Sequence, residues 1–176
     1  LDKLFYLDFY SIEIFGKTKL GELVLYAKQS QNIRLMHMVT EDARPFILSL
    51  IEKHHIDGVG FIPPTVKRQI QFMKELEKLL DLPVRLLKIT KLQTPIVVPQ
   101  KTLNKLEERV ENAHETLVVE DQGVYKNILL IDDAVGSGAT MHEVSRQIRH
   151  KGLCGGELIG LGLVGSFSGF EVIQEV

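Results

Sequence analysis

Short continuous apolar runs alternate along this chain with longer stretches whose apolar residues recur at helical spacing. Residues 1–15 are rich in Phe, Tyr and Ile in rough alternation with polar positions, which predicts one or two short strands before Gly16 and Lys17 break the pattern. Over 19–29, Leu20, Leu23, Val24 and Ala27 mark one face of a helix. A second helix is predicted over 41–55, with Phe46, Ile47, Leu50 and Ile51 turned inward. Residues 57–62 read as a strand that must stop at Pro63 and Pro64, because proline cannot donate to a central ladder. Ile70, Met73, Leu76, Glu77 and Leu80 outline an amphipathic helix over 66–80. Further strands are predicted over 82–89, 116–120, 127–131 and 157–164. Strands alternating with helices specify an α/β domain on a mainly parallel, twisted sheet flanked by helices. Nothing divides residues 1–176 into separate domains, although the first thirty could form a small appendage or hood over the sheet edge.

The most informative segment is 127–149. Ile128 to Ile131 is an unbroken apolar run of the kind a strand buried on both faces shows. Two adjacent carboxylates follow, Asp132 and Asp133, and then a loop of small residues: Ala134, Val135, Gly136, Ser137, Gly138, Ala139, Thr140. Beyond Thr140, Val144 and Ile148 recur four residues apart, so the loop opens a helix. Backbone N–H groups at a helix start, with Ser and Thr hydroxyls beside them, make a seat for a phosphate dianion. Asp132 and Asp133 cannot hold that phosphate; they suit hydroxyl groups or a divalent cation farther along the same ligand. Phosphate at one end and vicinal hydroxyls at the other describe a ribose 5-phosphate.

Composition narrows the function further. With 44% hydrophobic and 25% charged residues the chain has ordinary globular character and is long enough to bury a core. A formal net charge of −2 excludes a surface built throughout for nucleic acid or anionic membrane. Cys154 is the one cysteine, which excludes an internal disulfide and a cysteine-rich zinc site and points to a reduced, cytoplasmic protein. No stretch is apolar enough for long enough to span a bilayer, and no signal-peptide pattern opens the chain.

Two other stretches could carry chemistry. Pro64, Thr65, Val66, Lys67 and Arg68 follow a strand and precede a helix, where ligand loops of open α/β sheets lie. They could take a pyrophosphate, or form a surface turn with two solvated cations. Residues 88–110 carry Pro95, Pro99, Lys88, Lys91, Lys101, Lys105 and Arg109. A connection of that length is either a basic lid that closes over a polyphosphate or an amphipathic helix through Leu103, Leu106 and Val110. Gly160, Gly162 and Gly165 fit a dinucleotide fingerprint, but no convincing helix follows them, so they are better read as sites of close packing. His142 is expected to be a solvated helix residue, and Cys154 a packed thiol.

The run LLIDDAVGSGATM resembles the phosphoribosyl-pyrophosphate (PRPP) motif of the type I phosphoribosyltransferases. The order of segments resembles, within that superfamily, the competence protein F (ComF) family, proteins of this fold linked to DNA uptake. Ile62-Pro63-Pro64 stands where that family has Pro-Val-Pro, and Gln100, Leu103, Glu108, Arg109 and Asn112 lie close to its Q-x-x-L-x-x-x-E-R-x-x-N stretch. Arg68-Gln69-Ile70-Gln71-Phe72 departs from the family's Arg-Gly-Phe-Asn-Gln, and its cysteine-rich zinc module is not in this sequence. The resemblance implies a type I phosphoribosyltransferase fold and transfer of phosphoribose from PRPP to an acceptor, with Mg²⁺ and loss of pyrophosphate. It implies Asp132, Asp133 and Arg109 as catalytic residues, and Asp132 and Asp133 at the metal. Residues Val135 to Thr140 would hold the 5-phosphate, and Pro64 to Arg68 the pyrophosphate. Purine-salvage members carry an acid where this chain has Gly136. The alternative is a non-enzymatic module that binds PRPP or a nucleotide in DNA uptake or regulation. Nucleic acid enters as a partner only through the family resemblance; a membrane is not expected, and a homodimer is compatible with the sequence.

Overall fold

The computed structural model describes residues 1–12, 16–64, 66, 68–92 and 117–166. In chain order the elements are β1 (Lys3–Phe9), α1 (Lys19–Ser30), α2 (Ile33–Lys53), β2 (Gly58–Phe61), α3 (Phe72–Leu80), β3 (Arg85–Leu86), β4 (Ile89–Lys91), β5 (Leu117–Val119), β6 (Ile128–Val135), α4 (Ala139–His150) and β7 (Leu158–Gly165). Five strands form a wholly parallel sheet in the order β1-β7-β6-β2-β3, and β4 and β5 pair separately as an antiparallel ribbon. The predicted α/β architecture is therefore the observed one, with β1 as the edge strand of the main sheet.

The pleat of β6 explains the layering. Leu129 and Ile131 enter one core cluster, with Val39, Ala43 and Ile47 of α2 and Phe72, Met73 and Leu76 of α3. Ile128 and Leu130 enter the other, with Met141, Val144 and Ile148 of α4. All four β6 residues are fully buried, as expected of a central parallel strand covered on both faces.

Several boundaries differ from the sequence reading. The second helix starts at Ile33, not 41, because Asn32 Oδ1 accepts from the amides of Arg34 (2.9 Å) and Leu35 (3.4 Å). It runs through Pro45, which has no N–H to donate to the Glu41 carbonyl; both residues face solvent, so water can take that bond. Phe46 is 61% exposed, not inward, since the buried face is Val39, Ala43, Ile47 and Ile51. The third helix covers only Phe72–Leu80, not 66–80. The strand expected over 82–89 divides into β3, paired with β2, and β4, paired with β5.

At the amino edge of the sheet, Asp57 Oδ1 and Oδ2 accept from the amides of Asn127 (2.9 Å) and Lys126 (3.0 Å), which fixes the register of β2 against β6. Burial pushes the Asp57 carboxyl up, but these two amides, its own amide and the charge of Arg85 together hold it below its ordinary value. The β4–β5 ribbon is fastened to α4 by Gln147, which accepts from the Val119 amide (3.0 Å) and donates to the Leu117 carbonyl (2.8 Å).

Candidate functional site

The strand order creates a topological switch point between β2 and β6. From β2 the chain crosses through α3, on one face, to β3; from β6 it crosses through α4, on the other face, to β7. Neighbouring strands whose crossovers leave in opposite directions open a crevice at their carboxyl ends, which is where open α/β sheets bind ligands. The end of β2 and the acids of β6 meet there. Ile62 N donates to Ile131 O (2.8 Å), so Pro63 and Pro64 leave the sheet directly beside Asp132. Of the pyrophosphate segment, Pro64, Val66 and Arg68 are described; Thr65, Lys67 and Arg109 lie outside the described residues, as does the 93–110 part of the lid expected over 88–110. Its described start falls in β4, which pairs with β5 in the antiparallel ribbon.

Strand β6 extends through both acids to Val135, four residues beyond the predicted end, and the small-residue loop is reduced to Gly136, Ser137 and Gly138. Gly138 is the N-cap of α4 with φ +75, a left-handed conformation that favours glycine. It has no side chain to cap the helix, and the amide of Ala139 meets Ser137 Oγ only at 3.5 Å. The first turn of α4 thus presents amides, the Ser137 hydroxyl and Thr140 at the end of the crevice, an arrangement suited to an anion from outside. His142 is exposed one turn along, as expected.

The acids are not left to solvent. Asp133 shares the phase of Leu129 and Ile131 and meets Lys28 of α1, Nζ to Oδ2 2.9 Å, with side chains 8% and 10% exposed respectively. Asp132 accepts the Asp133 amide (2.8 Å). Burial first, and the Asp133 charge beside it second, push the Asp132 carboxyl up to about 8 against the opposing pull of Lys28.

Lys28 arrives because α1 lies across the carboxyl edge. Thr18, the N-cap of α1, donates to the Phe9 carbonyl at the end of β1 (2.6 Å), while the last turn reaches β6, two strands away. Just beyond, Gln31 Oε1 accepts the amide of Ile70 (2.9 Å) in the β2–α3 loop. One end of α1 is thereby tied to both walls of the crevice. Lys28, Gln31 and the buried Ser166, whose amide donates to Val135 O (3.0 Å), are residues of this region that the motif did not reveal.

The glycines of β7 are sites of close packing. A Cβ at Gly160 would meet Met141 Sδ at 2.7 Å, one at Gly162 Val135 Cγ2 at 2.9 Å, and one at Gly165 the Tyr6 ring at 2.4 Å. Cys154 is buried and burial pushes its thiol up, consistent with a packed residue. Among the described residues no helix is long and apolar enough to cross a membrane.

No protein-family model matches the chain, and no curated protein matches it. Several solved structures are similar to it, two of them phosphoribosyltransferases by name. One is a hypoxanthine-guanine phosphoribosyltransferase from Bacillus anthracis str. 'Ames Ancestor' (TM-score 0.48, 14% identity, covering 78% of this chain and 74% of that one). The other is a hypoxanthine phosphoribosyltransferase from Staphylococcus aureus (TM-score 0.44, 12% identity, covering 77% of this chain and 68% of that one). The strand order and the opposed crossovers, rather than these distant likenesses, define the architecture and locate the crevice.

Proposed function

We propose that the chain is a phosphoribosyltransferase-like protein that binds PRPP at the carboxyl ends of β2 and β6. The observation that carries this reading is the convergence, at the switch point, of an uncapped helix start with small residues and two adjacent carboxylates. In this reading residues Val135 to Thr140 receive the 5-phosphate and Asp132 and Asp133 face the ribose hydroxyls. Pro64 to Arg68 receive the pyrophosphate on the neighbouring strand, and Arg109 completes the site from the segment between β4 and β5. Departure of pyrophosphate leaves a ribose with oxocarbenium character, so the protein's work is positioning and charge stabilisation.

Mg²⁺, when bound, would neutralise the departing pyrophosphate. The residues present fit a cation carried on the ligand's own oxygens. They do not fit one ligated by Asp133, whose Oδ2 is already met by an ammonium, and no third Asp, Glu, His or Cys joins the pair among the described residues. Titration with PRPP and Mg²⁺ should raise the melting temperature, because a ligand that binds only the native state adds about 2.7 kcal/mol at a hundredfold excess over Kd. No shift at millimolar PRPP would refute the reading.

Both structures named above are hypoxanthine phosphoribosyltransferases by name. Purines are nevertheless expected to be poor acceptors here: Gly136 stands where the purine-salvage branch carries its acid, and loss of a general base costs about a hundred- to ten-thousandfold in rate. Pyrophosphate release measured with a panel of acceptors, hypoxanthine and guanine included, tests this and separates an enzyme from a binding module of the competence type. Release with no acceptor despite PRPP binding would favour the module.

A further inference from the structure

We propose that Lys28 is the resident cation of the acidic edge: its ammonium balances Asp133 and keeps a divalent metal off that carboxylate. The metal-free character of Asp133 follows from geometry. Nζ lies 2.9 Å from Oδ2 and both side chains are about nine-tenths buried, so a metal ligated by Oδ2 would have to displace a buried ammonium. The ammonium is also held from behind. Residues Gly21, Val24 and Lys28 share one buried face of α1, and the helix is pinned at its start by Thr18 against Phe9 and at its end by Gln31 against Ile70. Lys28 therefore cannot withdraw as a flexible surface lysine would. It comes from a segment with no part in the PRPP-type motif, and Gln31, three residues on, reaches the β2–α3 loop.

The ligand assigned to this edge rests on the PRPP reading; the assignment of the cation does not. In that reading Lys28 lets two adjacent acids face the hydroxyls of an anionic ligand without a metal of their own. Any Mg²⁺ then arrives on the pyrophosphate.

Mn²⁺ binding to the protein alone, read by electron paramagnetic resonance without PRPP, tests the assignment. The wild-type protein should show no Mn²⁺ site that Asp133→Asn removes. Lys28→Met should bind Mn²⁺ about tenfold more tightly or better, since the acids then lack their counter-charge, and adding Asp133→Asn to that variant should abolish the gain. Where Lys28→Met does not fold, Lys28→Gln, which can still donate to Asp133 but carries no charge, gives the same comparison. Lys28→Arg should behave as wild type. A wild-type Mn²⁺ site lost in Asp133→Asn would overturn the proposal, and so would an unchanged Mn²⁺ affinity in the neutral variants. In a parallel calorimetric titration, Lys28→Gln should weaken PRPP binding more in EDTA than in Mg²⁺. If PRPP binds none of these proteins while the Mn²⁺ results come out as expected, the PRPP reading falls and the role of Lys28 stands.

Discussion

Gly21→Ala sets helix propensity against packing, and the structure decides the sign. Gly21 lies in the first turn of α1, where alanine would by propensity alone stabilise a helix by about 1 kcal/mol. A Cβ at this position would sit 2.3 Å from the Tyr10 carbonyl oxygen and 3.0 Å from its carbon. A carbon–oxygen contact is comfortable only near about 3.3 Å, so one partner has to move by about 1 Å. Tyr10 cannot retreat: its amide donates to Gly165 O (2.8 Å) and its carbonyl accepts from Thr18 N (3.2 Å), which stitch it to β7 and to the helix cap. The helix must lift instead. Overpacking of this kind costs about 1–3 kcal/mol, so after the propensity gain the expected net loss is about 1 kcal/mol. For a chain of this size that lowers the melting temperature by about 2–4 °C. Urea denaturation with a fixed m-value measures the free energy directly. A variant more stable than wild type would show that α1 is not pressed onto the end of β1, and the account of how Lys28 is held would fail with it.

Other perturbations test separate parts of the structure. Gly138→Ala forces a side chain into φ +75, where nothing lies closer than Val135 Cγ1 at 4.0 Å, so the cost should be the conformational one alone, about 1–2 kcal/mol by urea denaturation. Gln147→Ala strips the partners from the buried backbone groups of Leu117 and Val119 and should cost about 1–3 kcal/mol, with faster amide exchange confined to the ribbon. Asp132→Asn tests the raised carboxyl. With its folded value near 8 against an ordinary 3.8, wild type holds a proton that the unfolded chain releases, so its stability should fall relative to the variant as pH rises between those limits. The gap should widen by at most about 1.4 kcal/mol per pH unit and level off above the upper limit; a gap constant with pH, measured in EDTA, refutes the shift.

What could be read from the sequence was whatever local pattern determines. The buried strand at Ile128 to Ile131 and the helix after Thr140 were legible because apolar period and turn chemistry agree over a few residues. The early start of α2 was also written locally, in Asn32 followed by Ile33, Met36 and Val39, and a search for caps would have found it. Phe46 misled because it adjoins Ile47: the i, i+4 series Val39, Ala43, Ile47 and Ile51 defines the inward face and turns Phe46 outward. The shortened α3 and the divided strand over 82–89 depend on distant partners. Gln31 holds the amide of Ile70 outside the helix, and Val59 takes the amide of Leu87 before the chain turns away to pair with β5.

The same division runs through the site. A motif is local, so both acids and the small-residue loop could be named, but the counter-charge of Asp133 comes from a distant part of the chain and depends on α1 crossing two strands. A physical cue was nonetheless present. A carboxylate in phase with Leu129 and Ile131 must point into the layer that buries them, and a buried carboxylate needs an opposite charge from that layer. Lys28 lies four residues after Val24, on the apolar face of an amphipathic helix, where a lysine has no reason to be unless something inside requires it. An acid aimed inward from a strand end and a lysine on the inward face of a helix are each costly alone. Two such costs in one chain are most economically explained by each other, and Nζ of Lys28 at 2.9 Å from Oδ2 of Asp133 is that explanation.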